Sequence, residues 1–176
     1  MSDVKIIFRA NAKINNEFIS IETYSGYRSA RADYKGNIYV LSPDVGDVEL
    51  GEAVVGALSK SRFVLAEPRE GLFVRPEVEF DKKLYDIQHI KQHYENWVKN
   101  MSEMFNYKNR KSLFKGMKNC DIEKFDHKIS ITPSKHEKLE GWSGEGISDN
   151  DCVTLNDDAT PGEIGAGLRL AFSRCI

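Results

Sequence analysis

The chain has 176 residues, with 25 Lys or Arg against 27 Asp or Glu and a formal net charge of -2. At this length a chain can bury about two-thirds of its unfolded surface without a metal or disulfide staple. An apolar share of 40% and a charged share of 30% exclude a disordered or fibrous protein. The charge balance excludes a strongly basic, histone-like binder.

Val4 to Phe8 reads as a first strand, turned at Asn15-Asn16 into Phe18-Ile19-Ser20-Ile21. Ser25 to Asp33 reads as a long loop. Ile38 to Ser61, which begins Ile38-Tyr39-Val40-Leu41-Ser42-Pro43-Asp44, reads as a short β-branched strand, an acidic turn and a helix. Gly46 caps that helix, with Asp47 and Glu49 in its first turn. Its apolar positions, Leu50, Ala53, Val54, Ala57 and Leu58, follow i, i+3, i+4, i+7, i+8 and form one buried stripe. Phe73 to Phe80 reads as an edge strand, because Pro76 cannot donate to a ladder. Leu84 to Phe105 is an amphipathic helix with the stripe Ile87, Ile90, Tyr94, Trp97, Met101, Met104 and Phe105. Lys108 to Met117 reads as a second, basic helix. Asp121 to Phe125 and Lys128 to Ile131 form another hairpin, turned at Asp126-His127. Ser134 to Ser148 is a second long loop. Cys152 to Cys175, which begins Cys152-Val153-Thr154-Leu155-Asn156-Asp157-Asp158, opens with a last short strand and an acidic turn. These lead to a helix started by Thr160 as cap, Pro161 at the first position and Glu163 reaching back.

These elements repeat. Segment 38–61 aligns without a gap on segment 152–175: Ile38-Tyr39-Val40-Leu41 on Cys152-Val153-Thr154-Leu155, Glu49-Leu50-Gly51 on Glu163-Ile164-Gly165, and Ala57-Leu58-Ser59-Lys60 on Ala171-Phe172-Ser173-Arg174. The second helix has the matching stripe Ile164, Gly167, Leu168, Ala171 and Phe172. Gly51 and Gly165 lower helix propensity, so close packing against a neighbouring backbone is the expected reason for them. The expectation is one domain over 1–176 of the α+β class. Its mainly antiparallel sheet is built from two similar hairpin-strand-helix halves, and a helical insertion spans about 84–117.

Three widely spaced cysteines, Cys120, Cys152 and Cys175, fit reduced thiols and give no zinc or disulfide spacing. The apolar stretch near the N-terminus is interrupted by Arg9, Asn11 and Lys13, unlike a signal peptide, and the run Ala53 to Leu58 is too short to cross a bilayer. A cytoplasmic protein without a membrane association is expected.

Candidate chemistry is weak throughout. His89 and His93 share one helical face at i, i+4, but no Glu follows His89, so a solvated polar face is the simpler account. Cys120 and His127 would make a thiol–imidazole pair without a motif to orient it; a small core cysteine is simpler. Gly141-Trp142-Ser143-Gly144-Glu145-Gly146 is not a phosphate loop, since Glu145 repels phosphate and no Gly-Lys-Ser/Thr follows. Trp142 is either a core anchor or an interface anchor. Asp157-Asp158 fits a capping turn as readily as a carboxylate pair. Acids run from Glu140 to Glu163 without a Lys or Arg between them, and Asp44, Asp47, Glu49 and Glu52 add to the first repeat. They form either a negative surface for a basic partner or ordinary solvated caps. The basic stretch Tyr107 to Lys118 can touch phosphates, with Tyr107 and Phe114 for stacking. No catalytic residues, metal ligands or cofactor site are expected; the chain reads as a binding module.

Tyr39-Val40-Leu41-Ser42-Pro43-Asp44, Leu113-Phe114-Lys115-Gly116-Met117-Lys118-Asn119-Cys120, His136-Glu137-Lys138-Leu139-Glu140-Gly141-Trp142-Ser143-Gly144 and Glu163-Ile164-Gly165-Ala166-Gly167-Leu168-Arg169-Leu170-Ala171 resemble the CdiI-type immunity proteins of bacterial contact-dependent growth inhibition. The likeness runs from about Tyr24 to the C-terminus. It implies a small cytosolic antitoxin that binds the C-terminal toxin domain of a cell-surface effector; for this chain, one-to-one binding by an otherwise monomeric protein is expected. Toxins neutralised by this type include metal-dependent nucleases, and in related complexes a toxin β-hairpin adds to the immunity protein's sheet. Candidate partner-binding residues are Tyr27, Trp142 and Glu145 in the two long loops, with Asp44, Asp47, Asp157 and Asp158 on the acidic turns. Two rival expectations stand beside this one: a small hydrolase or nuclease using Cys120/His127 or the Asp pair, and a nucleic-acid-binding module using 107–118.

Overall fold

The computed structural model describes residues 5–68 and 78–176. Strand β1 (Phe8–Ile14) pairs antiparallel with β2 (Ile19–Tyr27) on one side and with β7 (Lys118–Phe125) on the other. Strand β7 continues to β8 (Lys128–Pro133), and β8 to β11 (Val153–Asn156). The outer edge of β2 is shared end to end by β3 (Ser29–Ala32) and β4 (Ile38–Leu41). The result is a seven-stranded antiparallel sheet, and the α+β expectation holds.

Side chains of the main sheet alternate between its two faces. Ala10, Ala12, Ile19, Ile21, Cys120, Ile122, Ile129, Ile131 and Val153 point to one face. Helices α1 (Asp47–Ser59) and α5 (Pro161–Ser173) bury their stripes on that face. Gly46 caps α1, and Thr160 and Glu163 form the reciprocal cap of α5. The helices lie antiparallel and touch through backbone. A side chain on Gly51 would overlap the Pro161 carbonyl, and one on Gly165 would overlap the Asp47 carbonyl.

The paired contacts obey a two-fold rule. Gly51 and Gly165 are repeat equivalents, and so are Asp47 and Pro161. At the sheet centre Asn11 faces Asp121 across β1–β7, with Ala10 opposite Ile122 and Ala12 opposite Cys120. Outward, Ile19↔Leu41 and Ile21↔Tyr39 in one half match Ile129↔Leu155 and Ile131↔Val153 in the other.

Several boundaries differ from expectation. Strand β1 begins at Phe8, where the expected strand ended, because its inward residues include Ala10 and Ala12, which are small rather than β-branched. Val4 lies outside the described residues, as do positions 73–77 of the expected edge strand. Of that strand, Glu79–Phe80 (β6) pairs parallel with β5 (Val64–Leu65). Ser25 to Asp33 is not a loop: β2 runs on to Tyr27 and returns as β3 through Arg28, which takes a left-handed conformation at φ 59°. Ser134 to Ser148 carries the hairpin β9 (Lys135–Lys138) and β10 (Gly141–Ser143), whose charged, half-exposed residues carry no apolar alternation.

The expected long helix is broken. Its N-terminal end is α2 (Lys82–Tyr85), and Asp86 then leaves helical geometry to cap α3 (Ile87–Met104) through the His89 amide. The basic helix is only α4 (Arg110–Phe114), started by Asn109 and stopped before Gly116 at φ 64°.

Candidate binding surface

The second sheet face is polar. Asn11, Lys13, Ser20, Glu22 and Tyr24 line it on β1 and β2, where α3 covers them. A second core holds α3 and α4 there, with Phe18, Trp97, Val98, Met101, Leu113, Phe114 and Met117. On β7, β8 and β11 the equivalent residues Asp121, Glu123, Thr132, Thr154 and Asn156 are exposed. The insertion therefore breaks the two-fold symmetry by covering one half.

A cavity of about 300 Å³ remains between α3 and the sheet. His93 reaches down into it and bonds the Glu22 carboxylate at 2.6 Å. His89 packs edge-on against Tyr34. The expected solvated face for this pair is thus corrected: both imidazoles line the cavity, because α3 sits with that side toward the sheet. Lys13 donates to Asn11 at 2.6 Å and lies over the rings of Trp97 and Trp142. Burial lowers its pKa, against the opposing pull of Glu22 and Asp121. The bond from Glu22 holds His93 above the ordinary imidazole value, outweighing burial. A raised histidine stabilises fully below its unfolded value of about 6.5, and that contribution is lost as pH rises through the folded value. Imidazole proton NMR should therefore show His93 titrating above the ordinary value, and Glu22→Gln should bring the midpoint down. A wild-type midpoint at or below the ordinary value would remove this pair as a charged contact.

Beside the cavity lies an open groove between α3 and the outer side of β4. Ile38, Val40, Trp97, Met101 and Met104 supply its apolar wall, with Asn96, Asn100 and Glu103 along the rim. Ile38 is 48% exposed and Met104 58%. Both belong to apolar sets that normally go inside, and Met104 lay in the stripe expected to be buried. Among the described residues, no strand pairs with the outer edge of β4. Sequence reasoning missed this groove, because it depends on where α3 lands beside β4.

The sequence-derived candidates fall in separate places. Tyr27 ends β2, half-buried, edge-on to Phe63 and beneath Arg28. Trp142 on β10 is half-buried, stacked on His136, and donates from Nε1 to the Met117 carbonyl at 3.0 Å. Glu145 is exposed and paired with Lys135 at 3.4 Å. Asp47 is paired with Arg169 at 2.9 Å, and Arg169 also donates to the Pro43 and Val45 carbonyls. Asp44 is exposed and bonds Ser42. The Ser42 hydroxyl holds the Asp44 carboxyl below its ordinary value. Asp157 meets the exposed His127 ring at 3.2 Å, and Asp158 is exposed. Cys120 is fully buried beside Cys175, whereas His127 sits in the hairpin turn at the end of β7, so the thiol–imidazole pair does not form. Phe114 belongs to the second core, Tyr107 accepts from Asn15, and Arg110 is held by Glu95 and Glu140, so the stacking groups of the basic stretch face inward.

Residues 8–175 match the family model "CdiI: CDI immunity protein". The chain belongs to the CdiI family of immunity proteins. It is 49% identical over 175 residues to immunity protein CdiI-YPIII of Yersinia pseudotuberculosis serotype O:3 (strain YPIII), covering 99% of each chain. Its structure matches a chain of the CdiA-CT/CdiI toxin and immunity complex from Yersinia pseudotuberculosis with a TM-score of 0.95 and 48% identity, over 99% of this chain and 100% of that one. A Neisseria meningitidis protein of unknown function, NMB0488, matches at a TM-score of 0.82 and 35% identity, over 100% of this chain and 99% of that one. Among the described residues no helix is long and apolar enough to cross a membrane.

Proposed function

We propose that this CdiI protein performs no reaction and neutralises, one to one and in the cytoplasm, the C-terminal nuclease toxin domain encoded beside it, by covering the toxin's working surface. The observation that carries this reading is the β4–α3 groove. A strand edge offers backbone donors and acceptors, and an apolar wall beside it takes alternate side chains from an added strand. The repeat-equivalent strand, β11, is not lined by α3, so the insertion gives the two edges different character. That the Yersinia relative is described in a complex with a toxin supports a protein partner.

The acidic turns have a separate part. Asp44, Asp47, Asp157, Asp158 and Glu145 attract a basic toxin at long range, which raises the rate of encounter. Tyr27 and Trp142 add aromatic contact area where their rings remain open.

The test is titration of the toxin domain into the immunity protein by calorimetry. Ile38→Lys and Met104→Lys place a charge in the groove at exposed positions, so the fold should survive, as circular dichroism will verify. Each should weaken binding about tenfold or more, chiefly through faster dissociation. Unchanged affinity in the double variant would remove the groove from the interface. Absence of any complex with the wild-type chain would remove the immunity reading for this toxin.

A further inference from the structure

The fold brings together two of three cysteines that the sequence scatters. Cys120 lies on the inner face of β7, fully buried. Cys175 follows the end of α5 as the penultimate residue and is half-buried. Their Sγ atoms are 3.7 Å apart and unbonded. The third, Cys152, has its Sγ near Thr132 and Ser148 instead.

The two thiols are electrostatically unlike. The Cys120 thiol beside it holds Cys175 down to about 7, against the effect of burial. The same contact, together with burial, pushes Cys120 up. A partly accessible thiol with a buried thiol in contact has the arrangement of an attacking and a resolving cysteine.

We propose that Cys175 and Cys120 form a peroxide-responsive pair that closes to an intramolecular disulfide. The Cys175 thiolate attacks one oxygen of hydrogen peroxide. The O–O bond breaks, and hydroxide leaves and is protonated to water, giving a sulfenic acid on Cys175. The Cys120 sulfur, losing its proton, then attacks Sγ of Cys175. The S–O bond breaks, and a second water leaves. Two thiols lose two electrons in all, and one peroxide is reduced to two waters.

The sulfurs need to approach by roughly 1.6 Å to reach bonding distance. Cys175 lies beyond the last helical residue, Ser173, so the shift does not break the helix. The neighbouring Ile176 is held by its amide to Ser134 at 3.1 Å and by its carbonyl to the His136 amide at 2.7 Å, which ties the residue after Cys175 to the start of β9. Cross-linking would fasten the end of α5 to the sheet.

The test treats the reduced full-length chain with hydrogen peroxide, blocks remaining thiols with N-ethylmaleimide in denaturant, and reads intact mass and peptide maps. The expected product has lost two hydrogens, carries one maleimide, on Cys152, and yields a peptide joining Cys120 to Cys175. Cys120→Ser should stop at a sulfenic acid on Cys175 that dimedone traps. Cys175→Ser, at a half-exposed position, should stay unoxidised at the same dose. Three maleimides on the treated wild type, a bridge involving Cys152 or a second chain, or sulfinic acid on Cys175 without a disulfide would each overturn the proposal.

Discussion

Gly165→Ala should destabilise the protein severely, although alanine is the better helix former by about 1 kcal/mol. The added methyl group would overlap the Asp47 carbonyl, so α1 and α5 must separate along their shared seam. Overpacking of a closed core costs about 1–3 kcal/mol, and backbone cannot rotate away as a side chain can. The net loss should reach the upper end of that range. Gly162→Ala is the control, because on the same helix it would make only ordinary contacts, with the Val48 side chain at 3.5 Å and the Thr160 hydroxyl at 4.0 Å. It should be neutral or stabilising. Urea denaturation of both variants decides the matter. Equal midpoints for Gly165→Ala and Gly162→Ala would show that the seam can open without cost.

Removing Arg62 should be at least as damaging. Arg62 binds Asp33 through two bonds, Nε to Oδ2 at 2.7 Å and Nη2 to Oδ1 at 2.8 Å, and it also reaches Glu79 and Asp81. The Asp33 side chain is fully buried and accepts further bonds from Ser25 and the Lys35 amide. Breaking a buried pair by deleting one partner costs about 3–5 kcal/mol, because the survivor is left charged without its mate. Arg62→Leu should therefore unfold far earlier in urea. Asp33→Asn, which keeps the shape, should lose less. Burial alone would raise the Asp33 carboxyl, but the bonds from Arg62, Ser25 and Lys35 overcome it and hold the group below its ordinary value. A depressed acid contributes fully above its unfolded value of about 3.9 and loses that contribution as pH falls through the folded value. Wild-type stability should thus fall through this acid range, and the fall should be shallower in Asp33→Asn. An identical acid slope in the two proteins would show that Asp33 is not the linked group.

The helices and the repeat were legible because their signals are local. The stripes of α1 and α5, the Thr160 cap and the two glycines each follow from residues within one or two turns. Strands made of small or charged residues were not legible. Ala10 and Ala12 carry little apolar signal, and Lys135 to Lys138 carries none, so their pairing is decided by partners far along the chain. The break at Asp86 was hidden because its neighbours keep helical apolar spacing on both sides. Of the candidate surface, the charges could be seen in advance, and the groove could not. Ile38 and Met104 are ordinary apolar residues until the fold leaves one at an unpaired edge and the other on the facing helix.

The seam through Asn11 and Asp121 has a consequence for assembly. Each half offers the other the same surface that it receives, which is the rule for subunits related by a dyad. Two molecules that opened together could exchange halves and remake every one of these contacts between chains. What favours closure within one chain is the tether between the halves, residues 62–117, which makes their docking intramolecular. Shortening that tether below the span it must bridge would turn the same contacts into a swapped dimer.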